Sequence, residues 1–159
     1  MKNTALILTA AVLSVSAVSH AQPNNGKNND AVEQVTHQCL NEKRLSSCTL
    51  LALRASEVEK NPEKTKKFLE LSCPQNSKKY DPTACGLLGT SYAPKFETIV
   101  DGVEISFSGK SSLNNQPNLQ KAKFYFERAC RSSVNSEYSF TAANKQEYCL
   151  GYKALQQIK

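Results

Sequence analysis

Six cysteines are the residues of this chain whose type and spacing could do chemistry. They are Cys39, Cys48, Cys73, Cys85, Cys130 and Cys149. Thiolates bind zinc, catalyse thiol–disulfide exchange or form structural disulfides. Zinc sites favour close C-x2-C pairs together with histidine, and thioredoxin-type enzymes use the same two-residue spacing between their cysteines. The sequence contains no pair of cysteines at this spacing. An even number of cysteines is typical of disulfides in an exported protein, so we expect no metal and no cofactor.

The first residues indicate export. Lys2 precedes an apolar run from Ala5 to Val18, and Ser19-His20-Ala21 has small residues at the two positions that signal peptidase reads. We therefore expect residues 1–21 to be a secretory signal peptide. The run is shorter than the roughly 20 residues that a bilayer requires, so we expect no membrane span.

The charge of the chain is mildly positive. The net charge is +6, of which Lys2 contributes one unit that leaves with the signal peptide. The remaining lysines are scattered among acidic residues, which is typical of a solvated surface and not of a nucleic-acid interface. The excess would favour contact with anionic surfaces such as cell-wall polymers or lipid headgroups. The length of the processed chain suits one domain.

The cysteines mark an internal repeat. Phe68–Cys73 matches Tyr125–Cys130 as aromatic, apolar, Glu, variable, small and Cys. A polar loop follows each of these segments, and then a second cysteine opens an apolar run, as at Cys85 and Cys149. A weaker first copy closes at Cys39. The chain therefore reads as three copies of one unit.

Capping residues predict two helices in each unit. The predicted N-terminal caps are Asp30 with Glu33, Ser46 or Ser47, Asn61 before Pro62, Asp81 before Pro82, and Thr141. In the third unit, Ala122, Phe126 and Ala129 recur at helical spacing with Tyr125 beside them, which favours a core stripe over a ligand site. The predicted fold is all-α, an α-solenoid of three helix hairpins.

The pattern "aromatic-x-E-x-A-C, loop, C-x-x-L-G-x-x-Y" resembles the Sel-one-like repeat, a relative of the tetratricopeptide repeat. It is similar in particular to the cysteine-rich secreted subgroup known from the Helicobacter cysteine-rich proteins. The match is best over Lys64–Tyr92, good over Lys121–Cys130 and loose over Asp30–Ala55. In that subgroup a disulfide joins the two helices of each repeat. The resemblance therefore implies the pairs Cys39–Cys48, Cys73–Cys85 and Cys130–Cys149, out of the fifteen pairings that six cysteines allow.

The repeats and the composition of the segments between them also set boundaries. We expect a single domain at 30–159 with repeats at about 30–58, 61–92 and 117–158, an insertion at 93–116, and a disordered leader at 22–29. The third unit has Tyr152-Lys153 where the second has Leu88-Gly89. Because that glycine allows close helix approach in the family, we expect the last hairpin to pack differently.

The insertion contains the sharpest local signal in the chain. Asp101-Gly102 is a favoured type I′ turn with β-forming residues on both sides, which predicts a β-hairpin that pairs Val100 with Val103 and Phe96 with Phe107. One face of this hairpin carries the candidate interaction residues Phe96, Thr98, Val100, Val103, Ile105 and Phe107. An isolated hairpin is marginally stable in water, so this apolar face must be buried. It either covers the gap between two repeats or binds a partner.

The resemblance implies a protein–protein adaptor, periplasmic or secreted, in a Gram-negative bacterium, with another protein or a peptide as its partner. The alternative is a weak penicillin-binding or β-lactam-hydrolysing enzyme, because some proteins of the subgroup are described in this way. The processed chain lacks the S-x-x-K, S-D-N and K-T-G motifs of serine β-lactam enzymes, and His37 is its one histidine. We therefore expect no catalytic residues and no enzyme activity.

Overall fold

A computed structural model describes residues 25–109, 111, 113, 116–134 and 140–158, with side chains from residue 29 onward. The predicted signal peptide lies outside these residues. The described part forms six helices and two strands: α1 (Asn25–Leu40), α2 (Leu45–Glu57), α3 (Pro62–Ser72), α4 (Pro82–Tyr92), β1 (Lys95–Val100), β2 (Val103–Ser108), α5 (Leu119–Arg131) and α6 (Ala142–Gln156). The mainly helical fold and the inserted sheet agree with prediction. None of the described helices is long and apolar enough to cross a membrane.

Consecutive helices pack against one another along the chain. Helix α2 contacts both α1 and α3, α4 contacts both α3 and α5, and α6 packs against α5 and the two strands. Buried residues from all six helices and both strands form one core. The predicted pairs of helices therefore exist, and each pair shares this core with the next.

Three of the predicted helix caps are confirmed. The side chains of Asn61, Asp81 and Thr141 each accept a hydrogen bond from a backbone N–H in the first turn of α3, α4 and α6. These bonds satisfy donors that have no partner within the helix. Asn118 caps α5 in the same way.

The predicted starts of the first two helices are wrong. Helix α1 begins at Asn25, so Asp30 lies inside it and the predicted disordered leader at 22–29 overlaps its first turns. Helix α2 follows Arg44, whose side chain makes no capping bond. Ser46 and Ser47 therefore lie inside α2, and the Ser47 hydroxyl donates to Oε1 of Gln38 at 3.0 Å instead of capping the helix.

The three disulfides join the cysteines that the family resemblance implies. Cys39–Cys48, Cys73–Cys85 and Cys130–Cys149 have Cα–Cα distances of 4.8, 5.3 and 4.6 Å. Each bond connects the end of one helix to the next helix within the same hairpin. The first two are almost completely buried, whereas the cysteines of the third are half-buried. The pairing is confirmed.

The inserted hairpin has the predicted register. Val100 pairs with Val103 and Phe96 with Phe107, in an antiparallel two-stranded sheet. Asp101 and Gly102 have φ values of 51° and 78°, as a type I′ turn requires. Nζ of Lys153 lies 2.6 Å from the Asp101 carboxylate and ties the turn to α6.

Glycines on two helices allow aromatic rings to approach the backbone. A Cβ at Gly89 would lie 2.9 Å from the ring of Phe126, and one at Gly151 would lie 3.0 Å from the same ring. Phe126 on α5 therefore packs between α4 and α6. Lys153 occupies the position in the third unit that is equivalent to Gly89 in the second, and Gly151 lies two residues before it. In the last hairpin, an aromatic ring therefore also approaches the helix backbone closely, but at Gly151 and not at the position equivalent to Gly89.

Candidate interaction surface

The six hairpin residues proposed for binding lie against the helices. Val100, Ile105 and Phe107 are in the core, and Phe96 and Val103 pack beside it. The ring of Phe107 lies 5.7 Å from that of Phe126, and Thr98 donates to Oε1 of Gln157 at 2.6 Å. Of the two roles left open for this face, the structure shows the covering one. The apolar face of the hairpin is therefore part of the core.

The odd-numbered helices expose equivalent repeat positions. These positions lie nine, six and two residues before the first cysteine of each unit, a spacing that places them on one face of a helix. They carry Asp30, Glu33 and His37 on α1, Lys64, Lys67 and Leu71 on α3, and Lys121, Phe124 and Arg128 on α5. All are exposed except Arg128, which is half-buried. We call these nine residues the odd-helix face.

Arg128 connects this face to the loop of the second hairpin. Its guanidinium lies 3.9 Å from the ring centre of Tyr80 and 5.4 Å from that of Phe124. It also donates to the backbone carbonyls of Pro74, Gln75 and Ser77 at 2.7, 3.2 and 2.5 Å. Burial lowers the pKa of Arg128, yet an arginine remains charged at physiological pH. One side chain thus fixes a loop about fifty residues earlier in the chain.

A second aromatic cluster packs against Lys121 of the odd-helix face. The rings of Tyr92 and Tyr125 stack with centroids 5.8 Å apart, and Nζ of Lys121 lies 4.9 Å from the Tyr92 ring centre. Gln75 donates to the Tyr125 hydroxyl at 3.1 Å. Burial raises the pKa of Tyr125, which therefore remains a neutral phenol at physiological pH. Lys121 and Arg128 therefore each place a cation over an aromatic ring.

Asp81 is the most deeply buried carboxylate among the described residues, at 1 % exposure. It accepts hydrogen bonds from the Thr49 hydroxyl at 2.5 Å and from the Thr83 N–H at 2.8 Å. Burial raises its pKa, and these bonds oppose that shift because they stabilise the charged form. Every contact of this carboxylate is structural, since it caps α4 and joins it to α2. The sequence predicted the cap but gave no signal for the bond to Thr49.

Two small surface cavities lie among the described residues, which form no candidate metal cluster. The cavities have volumes of about 150 and 170 Å³. One is lined by Ser56, Lys60, Asn61, Pro62, Thr65 and Leu113. The other lies between α1 and α2 and is lined mainly by apolar atoms. Within the described part of the chain, His, Cys, Asp and Glu form no group of three or more that could hold a metal ion.

The geometry therefore defines a class of protein by fold and surface. It is a mainly helical protein whose three helix pairs are each crosslinked by a disulfide and whose odd-numbered helices expose equivalent positions. No family model, no curated protein and no solved structure matches the chain.

Proposed function

We propose that this protein is a protein–protein adaptor built from Sel-one-like repeats, acting in the periplasm or outside the cell of a Gram-negative bacterium. In this proposal the three hairpins stack as an α-solenoid. Support comes from the three disulfide-linked hairpins, each of which packs against the next, and from the odd-helix face. Stacked repeats of this kind present extended surfaces that bind peptides and proteins.

The observation that carries the proposal is the repeated exposure of equivalent positions. In the core, the second and third units use equivalent positions for packing, as Phe68 and Tyr125 show. On the odd-helix face, however, the residue types differ from unit to unit: acidic on α1, basic on α3, and basic with an aromatic ring on α5. Side chains that vary on a constant scaffold are suited to recognition of a specific partner, because the scaffold fixes their spacing.

The rigidity of the scaffold fits this function. The disulfides and the Arg128 contacts hold the second and third hairpins before any partner binds. A surface that is already ordered loses less conformational entropy on association. Phe124 and Leu71 then supply apolar contact and Arg128 supplies charge, and aromatic residues and arginine are enriched at interfaces.

Site-specific photocrosslinking tests the proposal. A photoreactive phenylalanine analogue replaces Phe124 or Leu71 in the protein expressed from its full-length gene, and the matched control replaces Ile99, which is 69 % exposed on the hairpin. We expect one discrete crosslinked product from the first two positions and none from Ile99. Prior reduction of the disulfides should abolish the product. Equal products from all three positions, or none from Phe124 and Leu71, would contradict the adaptor function.

A further inference from the structure

The positive charge of the chain is concentrated where α5 meets the loop between α3 and α4. Helix α5 and loop residues 74–80 together contain one acid, Glu127, and six cations: Lys78, Lys79, Lys121, Lys123, Arg128 and Arg131. Their net charge is therefore +5, whereas the whole chain carries +6 and Lys2 supplies the remaining unit. The fold joins the two segments, because Arg128 donates to the Ser77 carbonyl and stacks on the ring of Tyr80. The rest of the processed chain is electrically balanced.

Four of these six cations have no acidic partner among the described residues. Arg131 pairs with Glu127 at 2.7 Å, and Lys123 donates to a backbone carbonyl at 3.1 Å. The four that form no salt bridge, which we call the cation cluster, are Lys78, Lys79, Lys121 and Arg128. Burial raises the pKa of Tyr125, and the charge of Glu70 on α3 adds to that shift, so one acid lies near the cluster. The cluster keeps an excess of positive charge, which attracts anions.

Two members of the cluster have a fixed spacing on α5. Lys121 and Arg128 lie seven residues apart on the odd-helix face, about 10.5 Å along the helix axis. Each cation is held over a ring, Lys121 at 4.9 Å from the centre of Tyr92 and Arg128 at 3.9 Å from that of Tyr80. Phe124, which is 36 % exposed, lies between them on the same face. An extended peptide spans this distance in about three residues. Two carboxylates at that separation, with an apolar side chain between them, therefore match the three exposed side chains of α5.

We propose that the partner of this protein docks through an acidic peptide segment, whose carboxylates bind Lys121 and Arg128 and whose apolar side chain packs on Phe124. This inference rests on the proposed adaptor function and adds the chemistry of the partner. Cations that are already held in place favour a ligand whose charges have the matching spacing, because little conformational entropy is lost on binding. A lipid surface or a charged polymer has no such spacing. The acids of the odd-helix face on α1, Asp30 and Glu33, would repel an acidic segment and confine it to the later hairpins.

Selection from a phage library of random peptides, with the oxidised protein as bait, tests the predicted chemistry. The selected peptides should be acidic and carry an apolar residue between two acids. In fluorescence anisotropy, Lys121→Glu should weaken their binding by about tenfold, because an exposed ion pair is replaced by repulsion, whereas Lys121→Arg should bind like wild type. Lys95→Glu is the matched control, since it makes the same charge change at the exposed start of β1. Arg128 is left intact because it holds the loop. Neutral or basic peptides, no selected peptide, or an equal loss with Lys95→Glu overturns the proposal.

Photocrosslinking at Phe124 separates this inference from the adaptor function itself. Mass spectrometry of the crosslinked product identifies the segment of the partner that is attached. An acidic segment, in a product that Lys121→Glu depletes and Lys95→Glu does not, supports the inference. A discrete product with a neutral or basic segment overturns the inference and leaves the adaptor function standing. The absence of a product from both Phe124 and Leu71 contradicts both. Binding to phosphatidylglycerol vesicles that excludes the selected peptides would identify a lipid surface as the ligand and overturn the inference.

Discussion

A single methyl group at Gly86 tests the packing of the third hairpin on the second. An alanine Cβ there would lie 2.2–2.5 Å from three ring carbons of Tyr148, well inside contact distance. The ring is 6 % exposed and packs between Phe126 and Phe140, each with its centroid 6.1 Å away. Because both neighbours are themselves buried, the ring of Tyr148 has no space to move into. Gly86→Ala must therefore displace either the ring or the helix.

The expected magnitude follows from two opposing effects. Alanine stabilises a helix interior by about 1 kcal/mol relative to glycine. Overpacking a filled core costs about 1–3 kcal/mol, and the closeness of this contact places Gly86→Ala at the upper end. We therefore expect a net loss of about 1–2 kcal/mol in the free energy of unfolding, or about 3–8 °C in Tm. Gly151→Ala is the control: its Cβ would meet Phe126 at 3.0–3.3 Å, so helix propensity should largely offset the contact.

Thermal and urea unfolding of the oxidised protein, followed by circular dichroism, measures both variants. A double-mutant cycle with Tyr148→Leu identifies the contact, because a smaller side chain makes room for the new methyl group. Gly86→Ala should then cost less in the Tyr148→Leu background than in wild type. If Gly86→Ala is as stable as wild type, or if the two substitutions are additive, the packing described for these residues is wrong.

Three further predictions concern stability. Replacing both Cys73 and Cys85 by alanine should lower the free energy of unfolding by about 2–4 kcal/mol, and an unchanged Tm would contradict a stabilising role for that disulfide. Thr49→Val removes the hydroxyl that donates to Asp81 and should cost about 1–3 kcal/mol near pH 7. Burial raises the folded-state pKa of Asp81, so its stabilising contribution is complete below the unfolded pKa and is lost as pH rises through the folded one. The Thr49 hydroxyl opposes that shift because it stabilises the ionised carboxylate. The Thr49→Val penalty should therefore shrink as pH falls and Asp81 becomes protonated, and urea unfolding across pH would refute this if the penalty stayed constant. Replacing Phe96–Phe107 by a Gly-Ser linker removes Val100, Ile105 and Phe107 from the core and should lower Tm sharply, whereas a wild-type Tm would show that the hairpin does not support the helices.

Short-range patterns predicted much of the fold. The hairpin register follows from one turn dipeptide and the alternation beside it, because a shift by one residue would reverse both faces. Asn61, Asp81 and Thr141 mark helix starts because a cap depends on atoms within three residues. The disulfide pairing came from resemblance to a family, since spacing alone left many pairings open.

Long-range contacts account for what the sequence did not predict. Ser47 has the residue type of a cap but bonds to Gln38 on the preceding helix. Arg128 reads as an ordinary surface cation in the sequence, and only the fold brings it to Tyr80. The sequence predicts that Phe107 and its neighbours form an apolar face. Only the fold shows that this face packs against the helices, where Phe107 contacts Phe126 on α5. Pattern reasoning identifies apolar faces and leaves open what they contact.

The order of the cysteines bears on how the chain can mature. Each disulfide joins one cysteine to the next along the sequence, at separations of 9, 12 and 19 residues, and no bond encloses another. When a chain emerges into an oxidising compartment with its N-terminus first, an oxidase that links thiols in order of appearance makes the native bonds directly. Such a protein should reach its oxidised state without help from a disulfide isomerase. In that order of oxidation, the bond of each hairpin needs no cysteine from a later hairpin.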